Sequence, residues 1–261
     1  MPANNTNQAP MGQRIRTALT TPPTFPADVP RLQTNLDTDL LKLVAILSML
    51  VDHIGGAFFP EVGPFRWIGR LAFPLFCYCM TVGLLYTRNT KKYLARLAIF
   101  ALISQPFYIL ATHPYDYQAE WMNMNIYFTL FFSLLAMTGV KSRKWWLFLL
   151  SFLILSMFGF DYSANGVILM LIFYLCRNHP KLGALLFILQ YLPALWNGSP
   201  ADPRCLNLGF LCINWIFFSL FAALLIFPRT HSGLKIPKYF FYLFYPAHLL
   251  IIGIIRLILQ V

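Results

Sequence analysis

Residues 40–59 read Leu40-Leu-Lys42-Leu-Val-Ala45-Ile-Leu-Ser48-Met49-Leu-Val-Asp52-His53-Ile-Gly55-Gly56-Ala-Phe-Phe59. The run is as long as the ~20 residues a helix needs to cross ~30 Å of hydrocarbon. Working outward, stretches of the same kind recur at 67–87, 94–112, 125–139, 145–158, 162–176, 182–196, 210–227 and 239–259. They are continuous apolar blocks without alternation, which argues against a barrel. The expected fold is an all-α polytopic integral membrane protein, a bundle of about nine transmembrane helices over residues 37–261. Residues 1–36 are polar and proline-rich, have no apolar h-region, and read as a disordered cytoplasmic tail.

Composition agrees. Of 261 residues, 58% are apolar and 11% charged, against about 25% charged in a soluble domain; a cytosolic protein is excluded. The net charge of +11 could serve an acidic ligand, nucleic acid or membrane topology, and its distribution decides. Arg88, Lys91, Lys92 and Arg96 separate the second and third stretches. Lys141, Arg143 and Lys144 separate the fourth and fifth, Arg177 and Lys181 the sixth and seventh, and Arg229, Lys235 and Lys238 the eighth and ninth. No acid lies among them. The other loops hold Glu61, Asp116, Glu120, Asp161 and Asp202, with Arg66 and Arg204 opposing. Every second loop is basic, as an odd number of spans with a cytoplasmic N-terminus, and so a C-terminus on the outer face, requires. No role in nucleic-acid binding is needed to explain the charge.

Ionisable groups inside apolar stretches are costly, ~2.5–3.5 kcal/mol each at the centre, and so point to function. At 100° per residue, Lys42, Met49, His53 and Gly56 share a face, with Asp52 about 100° from His53. Adjacent residues diverge, so Asp52 should contact another helix rather than orient His53. Arg66 and Arg70 share a face at i, i+4. Arg66 reads as an interfacial cation that snorkels; Arg70, a turn deeper, lies near Asp52 in depth, and Pro74 should kink the helix just below it. His248 follows Tyr245-Pro246 midway along the last stretch and offers a second imidazole opposite His53. Asn123 and Asn125 at the mouth of the fourth stretch could line the same outer cavity. Asp161 reads as a solvated loop acid, and His113, His179 and His231 as ordinary surface residues. No spacing suits a metal or a nucleotide-binding loop. Of the five cysteines, Cys205 and Cys212 flank the last outer loop. A disulfide there is one reading; the other puts Cys212 inside the eighth stretch.

Three blocks carry a resemblance: Lys42-x-x-Ala45-x-x-x-Met49-x-x-Asp52-His53-Ile54, then Gly69-Arg70-x-Ala72-Phe73-Pro74-Leu75-Phe76, then Tyr245-x-x-His248-Leu249. Together they resemble the TraX family of conjugative pilin acetylases, over about residues 37–258. The resemblance implies an inner-membrane acetyltransferase that moves acetyl from acetyl-CoA, with no metal, to the N-terminal amine of a pilin subunit. It implies Asp52 and His53 as the catalytic block, Arg70 as its partner and His248 as the second imidazole. Lys42, Arg66, Asn125 and Tyr245 are the candidate substrate-binding residues. A base such as His53 would deprotonate the amine, and Arg70 would stabilise the oxyanion. The expected partners are membrane lipid, the pilin and acetyl-CoA. A proton-coupled transporter would use the same buried groups but predicts repeats and discontinuous helices, and none is evident in the sequence. A non-catalytic pilus-assembly factor would use them as helix glue.

Overall fold

The structure, a computed structural model, describes residues 32–115, 123–158 and 160–260. Most of the expected tail, together with Asp116, Glu120 and Gly159, lies outside the described residues. Helix α1 (Thr38–Phe58) starts where Asp37 accepts from Leu40 N–H, an N-cap that satisfies one of the free first-turn donors. Helices α2 (Gly63–Gly69) and α3 (Ala72–Tyr86) form one apolar column interrupted at Arg70–Leu71. The interruption lies four residues before Pro74, whose missing N–H removes the helical bond to the Arg70 carbonyl. Helix α4 (Thr90–Thr112) follows, then α5 (Ile126–Ser142), α6 (Trp145–Met157), α7 (Asn165–Leu175) and α8 (Pro180–Tyr191). A two-stranded hairpin, β1 (Leu206–Asn207) and β2 (Cys212–Ile213), leads into a 3-10 helix (Trp215–Ala222) and α9 (Ala223–Ile226). Helix α10 (Lys238–Leu259) ends the chain.

Each of the nine apolar stretches is at least partly helical, but four of the described helical segments are long and apolar enough to cross a membrane: Thr38–Phe58, Gly63–Tyr86, Thr90–Thr112 and Lys238–Leu259. The other five are shorter, so nine full crossings are not established. The reason is visible at α5. Asn125, its N-cap, donates to the Ala101 carbonyl at 2.8 Å, and Ala101 lies midway along α4. Helix α5 therefore begins beside the middle of α4 rather than beside its end. Non-helical backbone at that depth is tolerated only where protein or water covers it.

Helix α1 packs on α2, α3 and α10, α4 packs on α10 and α5, and α3 packs on α7. The central column 63–86 is the most buried of the four. Leu102, Leu149, Leu224 and Ile258 face outward with well over half their surface exposed. Apolar surface of this extent suits lipid rather than water. The last residues of the expected tail are held: Leu32, Thr34 and Asn35 are buried. The Tyr78 hydroxyl bonds Thr34 Oγ1 at 2.7 Å and donates to the Asn35 carbonyl at 2.6 Å.

Candidate active site

The two adjacent residues Asp52 and His53 leave the last turns of α1 in different directions. Asp52 turns to the α2–α3 junction. Arg70 Nη2 donates to its Oδ1 and Oδ2 at 2.8 and 2.9 Å, and Arg66 Nη1 donates to Oδ2 at 3.0 Å. Arg66 thus reaches inward to the same carboxylate instead of snorkelling outward, because i, i+4 spacing sets both guanidiniums on one face. Gly69 makes this approach possible: a Cβ there would fall on the Asp52 carboxylate. Both cations, Arg70 buried and Arg66 partly so, also lie over one indole. The Trp215 ring is 4.3 Å from the Arg70 guanidinium, 5.0 Å from that of Arg204 and 5.2 Å from that of Arg66.

Arg204 is itself fixed. Its Nε and Nη2 donate to Asp202 Oδ1 and Oδ2, both at 2.7 Å, and its carbonyl accepts from Trp67 Nε1 at 2.7 Å. The bidentate guanidinium holds the Asp202 carboxyl below the usual aspartate range.

His53 turns instead to α10, where its Nδ1 lies 2.7 Å from His248 Nε2, the rings almost parallel at 9°. His248 Nδ1 lies 2.8 Å from the Phe244 carbonyl. A carbonyl only accepts, so His248 carries its proton on Nδ1 and presents a bare Nε2. His53 then carries its proton on Nδ1, which leaves its own Nε2 with a free lone pair. Pro246, two residues before His248, lacks the N–H that would bond the Tyr242 carbonyl; the Tyr127 hydroxyl donates to that carbonyl at 3.3 Å. Tyr245 sits between, edge-on to Tyr127 at 4.8 Å and beside the His53 ring at 6.1 Å.

Two cavities approach this layer from opposite ends. The distal one, where α1 and α10 finish, has a volume of about 450 Å³ and is lined by His53, Gly56, Arg66, His113, Arg204, Leu249 and Arg256 among others. The proximal one, where α1 and α10 begin, has a volume of about 570 Å³. Its lining includes Lys42, Arg96 and Lys238 and the apolar or aromatic Phe76, Met80, Leu130, Tyr127, Phe241 and Tyr242.

Several expectations need correction. Asn125 does not line the distal cavity. It is fully buried and holds α4 to α5, donating to Ala101 O and Gln105 Oε1. Lys42 needs none: near the start of α1 and far from His53, it lines the proximal cavity and pairs with Asp39 at 3.1 Å. Asp161 is not a freely solvated acid: Tyr108 donates to its Oδ2 at 3.3 Å, and its carbonyl accepts from Thr129. His113 belongs to the distal cavity, whereas His179 and His231 are exposed. Trp215, Arg204 and Arg256 are additional site residues. Arg256 donates to the Ala111 and Thr112 carbonyls at the end of α4, both at 2.8 Å, where helical carbonyls lack partners. A cation at membrane depth was the available signal for Arg256; Trp215 had none. Among the described residues there is no group of three or more metal-ligating side chains.

The chain is 30% identical over 244 residues to the probable fimbrial assembly protein FimC, serogroup H1, of Dichelobacter nodosus, covering 84% of this chain and 96% of that one. It is 26% identical over 234 residues to protein TraX of Escherichia coli, covering 84% of this chain and 87% of the other. A 40-residue segment is 50% identical to the uncharacterized protein RP591 of Rickettsia prowazekii, 15% of this chain and 16% of that protein. No solved structure matches. The family described as TraX protein matches residues 37–256, and the chain belongs to that family.

Proposed function

We propose that the protein is an inner-membrane N-acetyltransferase that moves an acetyl group from acetyl-CoA to the N-terminal amine of a pilin subunit. The observation that carries this reading is the hydrogen-bonded relay Phe244 O–His248–His53. It ends in a bare Nε2 on the residue that lines the distal cavity. A neutral imidazole with a free lone pair is what a general base needs at near-neutral pH.

As the amine nitrogen attacks the thioester carbon, His53 Nε2 takes the amine proton. Arg66, which also lines this cavity, stabilises the oxyanion that forms, with Arg70 behind it sharing the Asp52 carboxylate. Collapse of the tetrahedral carbon breaks the C–S bond, and the departing thiolate receives the proton held by His53. The proximal cavity suits the donor: Lys42, Arg96 and Lys238 would meet its phosphates, and the aromatic lining its apolar arm. Tyr127 and Tyr245 lie between that cavity and the histidine pair. The basic loops support a cytoplasmic N-terminus and a periplasmic C-terminus, so donor and acceptor would arrive from opposite faces of the membrane.

The likeness to a probable fimbrial assembly protein of Dichelobacter nodosus supports a pilus-related role and equally suits an assembly factor without catalysis. Mass spectrometry of pilin from a deletion strain separates the two. Complementation with the wild-type gene restores an acetylated pilin N-terminus, and complementation with His53→Ala leaves the amine free. An unmodified pilin in the wild-type strain contradicts the proposal.

A further inference from the structure

The hairpin beside the distal cavity holds two cysteines that the chemistry above does not use. Cys205 is buried and Cys212 half-buried, both as free thiols. The pairing Leu206 with Ile213 and Asn207 with Cys212 sets both on one face of the ribbon. The segment they would clasp is tied to the site at both ends. Arg204, next to Cys205, lines the distal cavity and lies against Trp215. Trp215, three residues after Cys212, lies against Arg66 and Arg70. The Gly198 N–H donates to the Cys212 carbonyl at 3.1 Å, which anchors the second strand.

We propose that Cys205 and Cys212 are an oxidation site: they close into a disulfide that locks the hairpin, and with it Arg204 and Trp215, over the distal cavity. The oxidant is the disulfide form of a thiol–disulfide oxidoreductase. The more accessible Cys212 thiolate attacks that disulfide, its S–S bond breaks, and one oxidant sulfur leaves as thiolate. Cys205, deprotonated in turn, attacks the Cys212 sulfur of the mixed disulfide and releases the second oxidant sulfur. Two protein thiols are oxidised, one oxidant disulfide is reduced, and the two protons end on the oxidant's sulfurs. This requires the distal end to face an oxidising compartment. It does not rest on the transfer chemistry.

Full-length protein is extracted from membranes with an alkylating maleimide present, denatured, and weighed before and after reduction. Of five cysteines, the bridge withholds two, so three are alkylated before reduction and all five after it. Peptide mapping places the bridge between Cys205 and Cys212, and the Cys205→Ser/Cys212→Ser variant takes three labels in both conditions. A second readout is trypsin cleavage after Arg204 in the folded protein, slow when oxidised and faster after reduction or in the double variant. Five alkylated cysteines before reduction, or a bridge to any other cysteine, overturns the proposal.

Discussion

His53 Nδ1 stands 2.7 Å from His248 Nε2, and the Phe244 carbonyl beyond His248 fixes the direction of every proton between them. His248 is therefore a positioning residue that acts through His53. His248→Phe removes the acceptor that fixes the His53 tautomer. We expect a lower transfer rate and a displaced acidic limb of the pH–rate profile. His248→Gln, which keeps an acceptor oxygen, should recover part of both. Equal loss in the two variants with an unmoved limb would indicate packing alone.

Asp52 is held by Arg70, and both are buried. Asp52→Asn leaves an uncompensated cation there, which costs about 3 kcal/mol or more. Asp202→Asn removes a partly exposed pair and should cost less than about 1 kcal/mol. Chemical unfolding in detergent measures both, and similar losses would refute the assignment of Asp52 as the buried anchor.

Gly69 admits the Asp52 carboxylate against the α2 backbone. Gly69→Ala forces one of them to move, at about 1–3 kcal/mol, the usual cost of overpacking. Stability and transfer should fall together in this variant. An unchanged unfolding midpoint would show that the junction is looser than described.

The proximal cavity makes a kinetic prediction. Arg96→Gln and Lys238→Gln should each raise the KM for acetyl-CoA roughly tenfold, the weight of one charge-assisted contact, with kcat little changed. An unchanged KM in both variants would place the donor elsewhere.

Sidedness is tested by reporter fusions. Fusions at the two termini should report opposite faces, the N-terminus inside. Matching faces would mean an even number of crossings and would separate the basic loops from topology.

The site is legible in the sequence where the physics is local. The cost of charge in hydrocarbon marked Asp52, His53, Arg70 and His248, and 100° per residue told that Asp52 and His53 must serve different helices. Position that depends on tertiary depth is not legible there. Asn125 looks like a residue at a cavity mouth until α5 is seen to start midway along α4. Arg66 looks interfacial until the carboxylate it shares with Arg70 is seen. Trp215 lies more than 140 residues from Arg66 and Arg70, a separation no local pattern reports.

The most direct measurement incubates purified protein with labelled acetyl-CoA and mature pilin and counts label on the pilin N-terminus. Wild-type protein should transfer label, and His53→Ala should be slower by about a hundredfold or more, the contribution of a general base. Transfer by His53→Ala at the wild-type rate would contradict the account.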